Sequence, residues 1–216
     1  MQIEYLAFIP GLLQALGYFL YVRKSLRDEV EPNATTWMMF AYGTAFLTIL
    51  EWDSKASWTV LVLPVVCALS SLVVVAVITI KHGRPHWPTA WQDRTALCVD
   101  LFLTAVYVGA GMAQKAGFVS EQTREVCVLV LLVASNTSTI VSFVPLVRET
   151  IESPENEHFL PWSVWSLAYL SLALVTYQQY GVWSAFMIYP ASNALLHGFV
   201  GFLASRKTDG NPKLYP

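Results

Sequence analysis

Charged residues are missing from long blocks of this chain and crowd into the gaps between them. Residues 5–22, 32–50, 56–80 and 126–147 hold no Asp, Glu, Lys or Arg, and residues 95–114 hold only Asp100. The stretch 159–205 is free of all four, too long for one span, and Gln178-Gln179-Tyr180-Gly181 breaks it as a tight polar hairpin would. A helix that crosses hydrocarbon needs about 20 predominantly apolar residues. Lipid leaves no other choice of structure, because unpaired backbone groups are too costly there. The pattern therefore predicts an all-α membrane protein with seven spans, near 5–22, 34–51, 58–80, 95–114, 126–147, 160–177 and 182–204.

The same chain repeats at an offset of 125 residues. Val22-Arg23 falls on Val147-Arg148, Trp37 on Trp162 and Trp58 on Trp183. With one extra residue in the second copy, Pro64–Leu69 falls on Pro190–Leu195. Each copy supplies three helices and the fourth lies outside the repeat. An odd-numbered unit placed directly after itself would be inverted; a single linker helix restores its orientation, so the halves relate by an axis along the membrane normal. The expected organisation is a first three-helix repeat at 1–90, a linker helix at 91–118, and a second repeat with a short tail at 119–216.

Composition agrees. Hydrophobic residues make up 55% of the chain and charged residues 13%, about half the usual charged share of a soluble domain. The net charge of −2 hides a segregation. Arg23, Lys24, Arg27, Lys81, Arg84, Arg94, Arg148, Arg206, Lys207 and Lys213 fall on one side of a seven-span layout, against Lys55, Lys115 and Arg124 on the other. The basic side is expected to be cytoplasmic, with the C-terminus inside and the N-terminus outside. Glu4 with no basic residue before the first span does not resemble a secretory signal. Compact loops suggest a bacterial inner membrane. Cys67, Cys98 and Cys127 are unevenly spaced and read as packing residues, and His82, His86, His158 and His197 show no metal-ligand spacing. No metal or cofactor is expected.

Polar residues inside the spans are the candidate chemistry. Asn193 lies about eleven residues into the last span, where an unpaired amide costs about 1–3 kcal/mol; a neighbouring helix, water or a solute must satisfy it. Pro64 and Pro190 each free a backbone carbonyl and are candidate hinges. The fifth span carries Ser135-Asn136-Thr137-Ser138-Thr139, with Ser142 one turn on. Asn136 and Thr139 share a face, and Thr139 aligns with Gln14, forming an expected polar pair at mid-depth. Small hydroxyl residues there also serve close helix packing. Asp100 is the only acidic residue read as lying within a span, a candidate for proton coupling or for pairing with Arg94 or solvent. Trp37, Trp58, Trp91, Trp162 and Trp183 sit at span ends, as an interfacial belt requires. Trp165 shares a face with Trp162 and offers a stacking surface, while Trp52 and Tyr177 align across the repeat as outer walls of a site.

The three-plus-one-plus-three layout with an outside N-terminus resembles the SWEET and PQ-loop families and the PnuC-type nicotinamide-riboside transporters. The fifth span keeps a proline and a basic residue of the PQ-loop motif at Pro145 and Arg148, with Leu146 in the glutamine's place; Leu20-Tyr21-Val22-Arg23 lacks both motif residues. Asn193 matches a pocket asparagine of the SWEETs and Cys67 stands where the other would be. The tryptophan pair is similar to that of the nicotinamide-riboside transporters. The resemblance implies alternating access around a midplane cavity, with Asn193 and Cys67 lining it and Pro145 as a further hinge.

The expected function is transport of a small polar solute, sugar-, nucleoside- or amino-acid-like, with the lipid bilayer as the other partner and no nucleic acid. No P-loop or soluble domain points to ATP, and no acid, base and nucleophile cluster within the spans, so an enzyme is not expected. The alternative is a non-transporting seven-helix receptor or a structural subunit, as a homo-oligomer or with a membrane partner. A retinal protein is disfavoured, since 182–204 holds no lysine, and Gly109-Ala-Gly111 is a candidate subunit surface.

Overall fold

The computed structural model describes residues 8–83 and 91–206. Within them the chain forms seven α-helices and no strand. These are α1 (Phe8–Leu26), α2 (Ala34–Asp53), α3 (Trp58–His82), α4 (Trp91–Lys115), α5 (Glu121–Glu152), α6 (Phe159–Tyr180) and α7 (Ile188–Ser205). Single 3-10 turns at Pro154–Asn156 and Ala185–Met187 lead into α6 and α7. Glu4, Arg84, His86, Lys207 and Lys213, used above to orient the chain, lie outside the described residues.

Local chemistry sets the helix ends. The Asn33 side chain caps α2 by accepting from the Thr36 amide, and His158, 125 positions on, caps α6 through the Leu160 amide. Gly181, at φ 78°, ends α6 in the left-handed conformation a helix stop favours. The last span starts later than expected. Val182–Met187 folds as a turn and a 3-10 helix, so Asn193 is only the sixth residue of α7. Pro190 is then the third residue of α7, where its missing N–H removes no helical bond, and it is not a hinge. Pro64 and Pro145 do lie inside α3 and α5.

Five helices, α3 to α7, are long and apolar enough to cross a membrane, which makes this an integral membrane protein. The described parts of α1 and α2 are less apolar, and both pack into the same bundle. Helices shielded from lipid by neighbours can carry polar side chains, and these two hold buried Gln14, Ser25, Thr36, Thr44 and Glu51.

The packing order repeats. In the first three helices α3 lies between α1 and α2, and in the last three α7 lies between α5 and α6. Across the halves, α1 packs on α6 and α2 on α5. α4 rests mainly on α5, and nothing lies within 4 Å of where a Cβ would stand at Gly109 or Gly111. Bonds between loops divide the bundle into two ends. At the basic end Lys81 reaches the Ser25 carbonyl and Asp28, Asn33 donates to Glu149, and the Glu31 amide to the Asn156 carbonyl. At the opposite end Arg124 pairs with Asp53, and Gln179 and Tyr180 bond to Ser57 and Thr59.

Two of the five span-end tryptophans are not interfacial. Trp58, Trp91 and Trp183 are exposed, as a belt requires, but Trp37 and Trp162 are fully buried at the basic end of the core. Each sits in the first turn of its helix facing the other half, so the junction between halves takes both rings.

Candidate functional site

Two apolar cores fill the bundle, one toward each end. Leu47, Leu50, Leu63, Leu132, Leu172 and Tyr189 belong to the core at the opposite end; Tyr21, Trp37, Val74, Leu146, Trp162 and Val200 belong to the one at the basic end. Lined by residues of both cores is a cavity of about 10 Å³, room for about one water. Its walls come in equivalent pairs. Tyr18 and Phe143, Phe40 and Trp165, and Thr44 and Tyr169 are each 125 positions apart, and Cys67 and Asn193 are 126 apart. The remaining wall residues, Trp37, Thr139 and His197, have counterparts in Trp162, Gln14 and Ser71. Eight of the wall residues are thus paired at an offset of 125 or 126, one from each half.

Local sequence explains the geometry. Gly17 lets α6 approach α1: a Cβ there would stand 2.4 Å from the Trp165 indole nitrogen. That nitrogen donates to the Gln14 carbonyl at 3.3 Å, fixing Trp165 against α1. The ring stands 4.9 Å from both Tyr18 and Trp162, and 5.8 Å from His197. His197 is itself enclosed by Phe143, Trp162 and Tyr169. Its Nδ1 lies 2.8 Å from the Asn193 carbonyl, an acceptor only, so Nδ1 carries the proton and Nε2 remains an acceptor.

Cys67 is the polar hub. Its sulfur lies 3.2 Å from Tyr18 Oη and 3.8 Å from Thr44 Oγ1, and it accepts from Tyr169 Oη at 3.6 Å. Tyr18 also bonds Ser71 at 2.6 Å and Tyr169 bonds Tyr189 at 2.9 Å.

The residues expected from sequence divide. Asn193, Cys67, Thr139 and Trp165 line the cavity. Asn193 Nδ2 is committed to its own helix, at the Tyr189 carbonyl, and Thr139 Oγ1 to the Ser135 carbonyl. Gln14 is buried but its amide does not line the cavity and has no partner, so it forms no pair with Thr139. Asn136 is also buried away from the cavity, with Nδ2 donating to the Leu132 carbonyl. Trp52 and Tyr177 are exposed, 72% and 58%, and point away from the bundle rather than walling it. Asp100 does not reach solvent; it is 3% exposed and accepts from Ser138 on α5, outside the cavity. Nor is it the only acidic residue inside a helix of the bundle, because α2 continues to Asp53 and buries Glu51 completely.

Sequence reasoning also missed Tyr18, Thr44, Phe143, Tyr169 and His197. Their signal was the offset itself, since each pairs with another wall residue or with one bonded to the wall. Among the wall residues none is an acid, lysine or arginine. The wall is mostly aromatic, with a few hydroxyl, thiol and amide groups.

Glu157 locks the basic end. It is buried just before α6 and accepts from Trp162 Nε1 at 2.7 Å and from Tyr21 Oη at 3.0 Å, joining the two halves. Burial pushes its carboxyl up to about 8; the bonds from Trp162 and Tyr21 oppose this and the Glu149 charge adds to it. No protein-family model matches the sequence, and no curated protein or solved structure is similar to it.

Proposed function

We propose that this protein transports a small, uncharged, ring-bearing polar solute, of sugar or nucleoside type, by alternating access at the central cavity. The observation that carries the reading is the central cavity, walled by equivalent residues of both halves. Bonds that cross between halves close it at both ends. Glu157–Tyr21 and Asn33–Glu149 hold the basic end, and Asp53–Arg124 and Ser57–Gln179 hold the other. A closed intermediate of an alternating-access cycle has both sets formed, and breaking one set admits water and solute from that side. Separation of the halves supplies the room a solute needs, with Trp165, Tyr169 and Phe143 stacking on it and Asn193 and Thr44 offering hydrogen bonds.

In this reading the arginines and lysines make the basic end cytoplasmic, with the C-terminus inside, and the compact loops support a bacterial inner membrane. The 3+1+3 likeness to the SWEET, PQ-loop and PnuC-type families supports the same mechanism. The test is uptake of radiolabelled sugars and nucleosides into proteoliposomes, with Asn193→Ala and Trp165→Ala beside the wild type. Saturable uptake lost in both variants is expected. No uptake of any tested solute, or uptake indifferent to both, overturns the reading.

One observation favours the non-transporting alternative. The centre is tightly filled, and the Asn136 and Asn193 Nδ2 groups both donate to carbonyls of their own helices, although Asn136 Oδ1 is buried without a partner. A structural subunit would keep that centre shut, and a partner membrane protein would co-purify with it in stoichiometric amount.

A further inference from the structure

Among the described residues one fully buried carboxyl has no hydrogen-bond partner. Glu51, one turn from the end of α2, is 0% exposed, and neither of its oxygens has a hydrogen-bond partner. Its counterpart 125 positions on, Thr176, is equally buried with an unpartnered hydroxyl. Glu51 sits among the helices of the apolar core at the opposite end, on the same stretch of α2 as Leu47 and Leu50.

Among the described residues no charged group bonds to it. Arg124 of α5 is paired with Asp53. Cys67 on α3, Asp100 and Tyr107 on α4, and Glu125 and Cys127 on α5 make no hydrogen bond to it, and neither does Lys55 beyond the end of α2. Tyr189 of α7 belongs to the same apolar core as Leu47 and Leu50 on that stretch of α2. From Tyr189 a hydrogen-bonded series runs through Tyr169, Cys67 and Tyr18 to Ser71, along the wall of the cavity. An ionised carboxylate without a partner in such surroundings costs several kcal/mol, whereas the protonated acid avoids that penalty.

We propose that Glu51 is a proton-binding site that couples solute movement to proton entry from the end opposite the basic loops. The inference rests on the transport reading and deepens it. When the Asp53–Arg124 and Ser57–Gln179 contacts part, water reaches Glu51 from the end of α2. The carboxylate then takes a proton from hydronium, releasing water, and the apolar core closes over the neutral acid. Reopening toward the same end without loss of the proton is disfavoured, because closure and protonation stabilise each other. The tyrosine series ties the state of Glu51 to the cavity.

The test uses the full chain in nanodiscs and liposomes. Dicyclohexylcarbodiimide reacts with protonated carboxyls in apolar surroundings, and the adduct is located by peptide mass spectrometry. Labelling at Glu51 is expected at low pH, falling on the order of tenfold per pH unit above its midpoint. Glu51→Gln abolishes it and Asp100→Asn leaves it. In a protein with Cys98 and Cys127 replaced by serine, the rate at which Cys67 reacts with a small water-soluble thiol reagent added from the side opposite the basic loops, divided at each pH by the rate of the same thiol in the unfolded protein, is expected to change with pH and to lose that dependence in Glu51→Gln.

No labelling of Glu51, or labelling flat with pH, overturns the site. Protection of Glu51 by sodium at constant pH also overturns it, in favour of a metal cation. Normalised Cys67 reactivity that differs between sides but ignores both pH and Glu51→Gln overturns the coupling and leaves transport standing. A Cys67 that never reacts overturns the transport reading itself, and the coupling with it, even where Glu51 titrates.

Discussion

Trp37 and Trp162 stand 125 positions apart in the chain, and their rings lie 6.4 Å apart in the first turns of α2 and α6. Equivalent residues of a duplicated unit approach each other this closely only where the axis between the units passes. The contact joins the two halves at the basic end, and of the buried pair Trp37 lines the central cavity.

Replacing either ring removes a large side chain from a site with no solvent access. Trp162→Ala and Trp37→Ala are each expected to destabilise by about 3–5 kcal/mol, read as a lower Tm in detergent, while the phenylalanine variants lose less. Belt tryptophans behave otherwise: Trp183→Ala, at a position 96% exposed, leaves stability within about 0.5 kcal/mol of wild type and Tm nearly unchanged.

Gly17 is required by Trp165 rather than by the backbone. Gly17→Ala places a methyl 2.4 Å from the indole nitrogen, and the ring must shift or α1 must withdraw. The expected cost is about 1–3 kcal/mol, together with a change in tryptophan fluorescence. Combining it with Trp165→Phe recovers part of the loss, because the smaller ring leaves room. A Gly17→Ala protein with wild-type Tm and emission would show that the helices do not approach so closely.

The Glu157 clamp makes stability depend on pH with a definite sign. Its carboxyl is raised from an ordinary 4.5 to about 8, so the folded protein holds this proton more tightly than the unfolded chain. That contribution is complete below about 4.5 and is lost as pH rises through about 8. Wild-type Tm is expected to fall across that window, and Glu157→Gln, neutral throughout, to flatten the profile. An unchanged slope in Glu157→Gln would assign the dependence to another group.

Much of the helical layout was legible because lipid imposes it. Charge-free blocks locate α2, α3 and α6 closely, and the Gln178–Gly181 break falls at the end of α6. The start of α7 was not legible, since Val182–Met187 is as free of charge as a helix and only its local bonding makes it a turn. Trp37 and Trp162 suited an interface by position along the chain, and their burial depends on the opposing half. Glu51 stood at the edge of a charge-free block and read as a terminus. Its burial follows from α3 and α5 packing around the last turns of α2.

The candidate site was half legible for a related reason. Asn193 and Cys67 were reached by depth and by the resemblance, Thr139 through its alignment with Gln14, and Trp165 through the face it shares with Trp162, and all four line the cavity. Gln14, Trp52 and Tyr177 were chosen by the same 125-residue offset and Asn136 by polarity, and none of them lines the cavity. One residue along a helix turns a side chain by about 100°, so depth without the partner helix does not say which way it points.

The account turns on whether the centre of the bundle opens to water from each side in turn. Cys67 reports this directly, since it is 5% exposed at the cavity wall and bonded to the tyrosines of both halves. With Cys98 and Cys127 replaced by serine, a small membrane-impermeant thiol reagent is applied to right-side-out and to inverted vesicles. Alternating access predicts modification of Cys67 from both sides, slowed when either the Asp53–Arg124 end or the Glu157 end is cross-linked shut. A thiol that stays unmodified from both sides until the protein unfolds would contradict it and leave a permanently closed bundle.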